Sequence, residues 1–229
     1  MQFYSPDYTQ LMEKRIRRIL MICSSYDAYI LEEDGQIDVQ IQKEYSDLNI
    51  SNPPSFSWVT TSEEAHTLLR NGEDFDLIIC MFNIGDMDVF SFARNLRREG
   101  SDTPIVLLSN YSREFKNRIE HEDCSAINYI FSWHGNADLI LAIVKLLEDT
   151  MNAEKDILHS GVQCILLVED SVRYYSTYLP AIYKIVLKQS AEFLKETLND
   201  QQQKTRKRAR PKIFLATNYE DAVAHYEKY

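Results

Sequence analysis

A series of short apolar runs without internal charge limits most strictly what this chain can fold into. The runs are Ile19-Leu20-Met21-Ile22, Phe56-Ser57-Trp58-Val59, Leu77-Ile78-Ile79-Cys80-Met81, Ile105-Val106-Leu107-Leu108 and Ile127 to Phe131. A strand that is apolar on both sides needs cover on both faces, the condition of a central parallel strand. Amphipathic stretches lie between the runs. One starts near Tyr26 and carries Tyr29, Ile30, Ile37 and Ile41. Thr61-x-x-Glu64 is a capping box opening a helix with Ala65, Leu68 and Leu69, and Asn71-Gly72 closes it. Phe90, Phe92, Ala93 and Leu96 mark the next helix. Arg113 to Asp123 reads as a short polar helix, and Asn136 caps a last one. The alternation predicts an α/β domain over residues 14–150, a three-layer doubly wound fold on a parallel five-stranded sheet. Ligands of such sheets bind beyond the carboxyl ends of the strands. Here those ends are Cys23-Ser24, Met81, Ser109-Asn110 and Ser132-Trp133.

The opening pattern recurs. Ile165-Leu166-Leu167-Val168-Glu169-Asp170-Ser171 repeats the stretch from Ile19 to Ser25. Ile213-Phe214-Leu215-Ala216 with Tyr219-Glu220-Asp221-Ala222 echoes Phe56 to Val59 with Ser62 to Ala65. Duplication is the simplest account, with residues 162–229 as a truncated second copy after a polar linker at 151–161. Three strands of that copy are missing, so the expectation is a chain that forms the front end of a longer protein.

Composition narrows the function classes. The formal net charge is −10, which repels phosphate backbones unless a basic face is set apart. The one basic cluster is Lys204, Arg206, Lys207, Arg208, Arg210 and Lys212. It follows a long helical stretch, where cations complement the negative end of the helix dipole; a protein or nucleotide contact is the alternative. Nucleic acid is not an expected partner, nor is a membrane, because no run approaches the ~18 uncharged apolar residues of a spanning helix. No signal peptide is visible at the N-terminus, and a cytoplasmic location is expected. Cys23, Cys80, Cys124 and Cys164 are widely spaced; Cys23, Cys80 and Cys164 lie in or beside apolar runs and read as small core residues, with metal or redox chemistry as the alternative. His66, His121, His134, His159 and His225 are scattered, with none beside a nucleophile. Six glycines in all leave little room for a phosphate-cradling loop.

The strand ends bring in a resemblance. The order of elements, with Phe75-Asp76-Leu77-Ile78-Ile79-Cys80-Met81 and the ungapped run through Gly85-Asp86-Met87-Asp88 to Phe90, resembles the receiver domains of bacterial response regulators, the CheY-like family. That family carries an acidic pair after strand one, a phosphoacceptor Asp after strand three, Ser or Thr after strand four and Lys-Pro after strand five. The carboxylates hold Mg²⁺, which prefers hard oxygen ligands, while the hydroxyl and Lys bind the phosphoryl oxygens. Here Cys23-Ser24, Met81 and Ser132-Trp133 stand at the first, second and fourth of those places, and only Ser109 matches. The resemblance therefore implies a pseudo-receiver whose degenerate pocket is Cys23, Ser24, Met81, Ser109 and Ser132. Asp86 and Asp88 read as helix caps and loop solvation, with a remnant cation site as the alternative. The second copy keeps an acidic pair, Glu169-Asp170, which implies a Mg²⁺ site in an intact second receiver or a plain helix cap. No other cofactor is expected, and no catalytic residue.

Two stretches, Phe131 to Asp138 and Val168 to Tyr175, also resemble the N-terminal receiver-like region of large bacterial proteins classed with phosphoenolpyruvate synthase and pyruvate phosphate dikinase. That resemblance implies a regulatory front end without the enzyme's own catalytic parts. Between Leu139 and Leu147 only Lys145 is charged, so this helix is expected to be covered on both sides, by a partner in the same chain or a second copy. The next helix is expected to run from Val172 toward Arg208, with Pro180 kinking it or ending its first segment. Its far end, Asn199 to Arg210, is expected to project into solvent. A truncated sheet would leave an unpaired edge.

Overall fold

A computed structural model describes residues 11–26, 37–110, 112–133, 135, 137–192 and 209–229. Tyr29, Ile30, His134, Asn136 and the residues from Phe193 to Arg208, including four of the six basic-cluster residues, lie outside the described residues. Over the described residues the chain forms two compact units. One holds residues 16–46 and 50–137, the other residues 11–15, 47–49 and 138–229. Residues 138–150 group with the residues that follow them.

The first unit carries all five expected strands: β1 (Arg18–Ile22), β2 (Ser55–Val59), β3 (Leu77–Met81), β4 (Ile105–Ser109) and β5 (Tyr129–Ser132). Every pairing is parallel, and the order is β2-β1-β3-β4-β5. The helices are α1 (Ile37–Asp47), α2 (Ser62–Arg70), α3 (Val89–Arg98) and α4 (Arg113–His121). β3 and β4 are buried at every residue, as their unbroken apolar sequences require. One side of the sheet presents Leu20, Ile22, Ile78, Cys80, Ile105 and Leu107 to a core with Ala65 of α2, Phe92 and Leu96 of α3 and Phe115 of α4. The intervening residues Ile19, Met21, Leu77, Ile79, Val106 and Leu108 are equally buried. β5 begins at Tyr129 rather than Ile127, because the Asn128 amide already bonds the Ile105 carbonyl and its side chain accepts from the Ile105 amide.

The ends of these elements follow local chemistry. The Thr61 hydroxyl accepts from the Glu64 amide at 3.1 Å. Glu64 reaches back to the Thr60 amide at 2.8 Å, one residue earlier than a standard capping box. Asp76 holds the start of β1 by accepting from the Arg17 and Arg18 amides at 2.7 and 2.9 Å. The Arg18 guanidinium lies over the Phe75 ring.

The second unit begins with α5 (Ala137–Ala153), which passes into a π-helical turn, Glu154–His159. The 151–161 segment expected as a linker is thus helical as far as His159. β6 (Cys164–Val168), α6 (Val172–Glu192), β7 (Lys212–Ala216) and α7 (Tyr219–Lys228) follow. β6 and β7 pair in parallel. α6 continues through Pro180 without ending there; the missing N–H costs one bond of the helical ladder. α5 is buried from Leu139 to Asp149, so the apolar helix is covered within the chain itself.

A buried charge network ties this unit together, and it corrects the view of Arg210 and Lys212 as a solvated helix end. Asp149, 0% exposed, accepts from the Arg210 guanidinium at 2.8 and 2.9 Å, the Tyr183 hydroxyl at 2.8 Å and the Ile213 amide at 3.0 Å. Lys212, also 0% exposed, pairs with Asp156 at 2.7 Å. Asp156 accepts from the Met12 amide as well. Asn152 donates to the Lys14 carbonyl and accepts from the Lys14 amide. Lys145, the one charge inside the apolar stretch, pairs with Glu148 at 2.7 Å. Burial pushes the Lys145 and Lys212 ammonium groups below their ordinary range, and the Arg210 charge adds to the shift at Lys212.

Removing one partner of a buried ion pair strands the other. D149N is therefore expected to cost about 3–5 kcal/mol in urea unfolding. K116A, at an exposed pair on α4, is expected to cost below about 0.5 kcal/mol.

Candidate functional site

Parallel pairing fixes which residues share the carboxyl-terminal rim of the five-stranded sheet. Ile22 pairs with Cys80, so Cys23 follows at the level of Met81. Met81 pairs with Leu108, and Ser109 with Ser132. Cys23 donates its amide to the Val59 carbonyl at 3.2 Å, Phe82 to Leu108 at 2.9 Å and Trp133 to Ser109 at 2.8 Å. The five residues singled out from the sequence, Cys23, Ser24, Met81, Ser109 and Ser132, thus stand at the strand ends of one rim. Cys23, Met81, Ser109 and Ser132 are buried and Ser24 is half-buried.

The donor set of that rim is a thiol, a thioether and three hydroxyls. It does not fit Mg²⁺, whose dehydration is repaid by charged or carbonyl oxygen. Cys80, one residue before Met81, is buried, and burial pushes its thiol far above the ordinary range, so it is no nucleophile at neutral pH.

The two nearby carboxylates are engaged elsewhere. Asp86 accepts from the Ser62 amide at 2.7 Å, the Ser62 hydroxyl at 2.9 Å and the Glu63 amide at 3.2 Å. It caps α2 across the sheet rim, a contact that no local sequence pattern announces. Asp88 caps α3 through the Ser91 amide at 3.0 Å and pairs with Arg118 of α4 at 2.6 Å. The expectation that both aspartates serve as caps is met. An isolated antiparallel bridge, Asn83 to Asp88, closes the loop. Phe82 meets Phe115 edge-on at 5.1 Å and Phe90 at 6.4 Å. The β3–α3 loop is therefore fastened to α2, α3 and α4 at once.

In the second unit, Glu169 and Asp170 follow β6. Glu169 accepts from the Ser171 amide at 3.0 Å, a local cap-like bond, while Asp170 is exposed. Two adjacent carboxylates fit part of a divalent-cation shell. Among the described residues, no group of three or more metal-ligating side chains forms. No helix among them is long and apolar enough to cross a membrane. The charges that the sequence hid best are Asp149 and Asp156, whose cationic partners Arg210 and Lys212 lie far away in the sequence.

No family model matches the sequence, and no curated protein matches it. Solved structures similar to the chain include three receiver domains. That of a Francisella response regulator shows 19% identity and a TM-score of 0.42, over 59% of this chain and 98% of that one. The Thermotoga maritima response regulator TrrA, solved with Mg²⁺ and a beryllofluoride, shows 19% and 0.43, over 58% and 99%. The receiver domain of a putative LuxO repressor from Vibrio parahaemolyticus shows 18% and 0.44, over 63% and 98%. At these values the fold assignment rests on the chain's own strand order.

Burial pushes the Asp86 carboxyl up, but the Ser62 and Glu63 donors outweigh it and hold the group below its ordinary value of 3.8. A lowered folded value stabilises the fold above the unfolded value and is lost as pH falls through the folded one. D86N keeps an acceptor oxygen but loses the charge at the α2 N-terminus, and is therefore expected to cost roughly 0.3–1 kcal/mol at pH 7. The gap from wild type should close below pH ~3.8, read by urea titration at several pH values.

Proposed function

We propose that residues 16–137 form a receiver-like signalling module that acts by protein contact, without being phosphorylated. The observation that carries this reading is Met81 at the carboxyl end of β3. A thioether has no anionic oxygen to attack a phosphoryl group. Cys23-Ser24 and Ser132-Trp133 supply neither the carboxylates nor the cation that such chemistry needs. The fastening of the β3–α3 loop by Asp86, Asp88 and Phe82 supports a module held in one state. This reading makes the chain an interaction module, not an enzyme. Its expected partners are proteins; TrrA has likewise been solved in complex with the histidine kinase ThkA.

The second unit favours an extension of this proposal. β6–β7 repeats β1–β2 in register, residue for residue: Ile19 pairs with Phe56 as Ile165 pairs with Ile213. The flanking bonds repeat too. Ser55 donates to the Arg17 carbonyl as Lys212 does to Gln163, and Cys23 donates to Val59 as Glu169 does to Ala216. Thr61 and Asn218, each two residues past its strand, cap the following helices. We take residues 162–229 as the opening portion of a second receiver-like unit, with Glu169-Asp170 at the place of the family's acidic pair. A second reading follows from that pair: a phosphorylation-responsive second receiver that binds Mg²⁺ and controls a phosphoenolpyruvate synthase-like or pyruvate phosphate dikinase-like enzyme, at the front of a larger cytoplasmic bacterial protein.

Treatment with Mg²⁺ and a small phosphoryl donor, of this chain and of one extended past Tyr229 to complete the second unit, followed by mapping of phosphate by mass spectrometry, separates the readings. The expected result is no phosphate anywhere on residues 16–137. Phosphate there would overturn the proposal, and phosphate confined to residues beyond 162 would favour the second reading.

A further inference from the structure

We infer that the outer face of α6 is a homodimer interface, in which two copies of this chain pair their α6 helices antiparallel through a heptad seam.

The first observation is the spacing of exposed residues along the helix. Tyr174, Tyr178, Ala181, Ile185, Lys188 and Glu192 recur at alternating steps of four and three residues, and all six are exposed. Tyr174, Tyr178 and Ile185 are exposed at 53, 45 and 58%. The Tyr174 and Tyr178 rings stack at 6.0 Å, so an aromatic platform is already in place. Such alternation is the seam of a two-stranded coiled coil. The side of a surface helix that meets only water is instead polar. α1, which follows β1 as α6 follows β6, has that kind of face: of its exposed residues Val39, Gln42, Lys43, Ser46 and Asp47, only the first is apolar.

The second observation is that α6 has another apolar side, and the second unit packs on that one. Val172, Tyr175, Leu179, Tyr183 and Val186 are buried, and the Tyr183 hydroxyl reaches Asp149 there. At helical spacing these residues lie opposite the seam. Strands added to the β6–β7 sheet would enlarge the interior on the buried side and leave the seam outside.

The third observation names the occupant, because the seam complements itself. Antiparallel alignment about position 183 sets every seam residue opposite another seam residue. Ala181 meets the partner's Ile185, Tyr178 the partner's Lys188 and Tyr174 the partner's Glu192. The small Ala181 leaves room for the isoleucine in both central layers. A lysine over a tyrosine ring is an attractive cation–π contact. Glu192 comes within reach of the partner's Tyr174 hydroxyl and of Arg173 beside it. Parallel pairing in register would set Lys188 against lysine and Glu192 against glutamate, like charge on like. The antiparallel pair is closed by a two-fold axis, the commonest symmetry of soluble oligomers. One helix pair gives an interface below about 1,200 Å², so the dimer is reversible.

The test is sedimentation equilibrium of the whole chain from about 10 µM to about 1 mM. The mass should rise with concentration from monomer toward dimer. I185K, at an exposed position, should weaken association roughly tenfold or more and leave the circular dichroism spectrum unchanged. Y178K sets a lysine against Lys188 and should weaken association as well. Y178K/K188E sets lysine against glutamate in the antiparallel arrangement only, and should restore it. A monomeric mass at every concentration would overturn the proposal. So would a dimer that I185K leaves intact, since another surface would then hold it. Association of Y178K/K188E no tighter than that of Y178K would overturn the antiparallel seam.

Discussion

Backbone pairing in a water-free layer is the constraint on which the first unit depends. β3 and β4 have no solvent on either face, so an amide or carbonyl left without a partner there would lose its hydration and gain nothing. Parallel pairing satisfies these groups only in fixed register. Once register is fixed, Cys23, Met81, Ser109 and Ser132 must come to one rim, whatever their chemistry. The scaffold places side chains at a site without regard to whether they can perform a reaction. Which chemistry a rim can support is then decided by the residues that stand at the strand ends.

Carboxylates close to that rim show how the same charge can serve a different end. Asp86 and Asp88 lie in the loop after β3, yet their oxygens are taken by amides at two helix N-termini and by Arg118. A carboxylate that accepts several N–H bonds gives up lone pairs a cation would need. Phe82 adds an apolar wedge against Phe90 and Phe115. Together these contacts tie three helices to one short loop, which favours a single conformation of the surface formed by α3 and α4.

The second unit depends on a different interaction. Asp149 is buried and gathers four hydrogen-bond donors from α6, the residue pair before β7 and β7 itself. The pairing of three cations, Lys145, Arg210 and Lys212, with Glu148, Asp149 and Asp156 leaves no net charge in the interior. Such networks add little to stability over an apolar core of the same volume, but they penalise misplacement heavily. That penalty suits a two-stranded sheet, whose few backbone bonds would otherwise hold β7 loosely.

The sequence by itself determined the strands, their parallel class and the caps. Short apolar runs bounded by turn residues fit buried strands, and Thr61 and Asp88 sit directly before helices with amides to satisfy. It also determined that Met81 and Cys23-Ser24 stand at strand ends. The tertiary structure alone decided the rest. Whether Arg210 and Lys212 face solvent depends on Asp149 and Asp156, more than fifty residues away in sequence, so local composition read them as a solvated helix end. The helix from Ala137 groups with the residues after it, because the interactions of Asp138 and Asp149 with Lys184, Tyr183 and Arg210 join it there, while its apolar sequence required only that it be covered. Pro180 stays within α6 since packing of Tyr175, Leu179 and Tyr183 outweighs one missing backbone bond. Periodicity records what must be buried; which distant group completes a buried charge is settled only when the chain closes on itself.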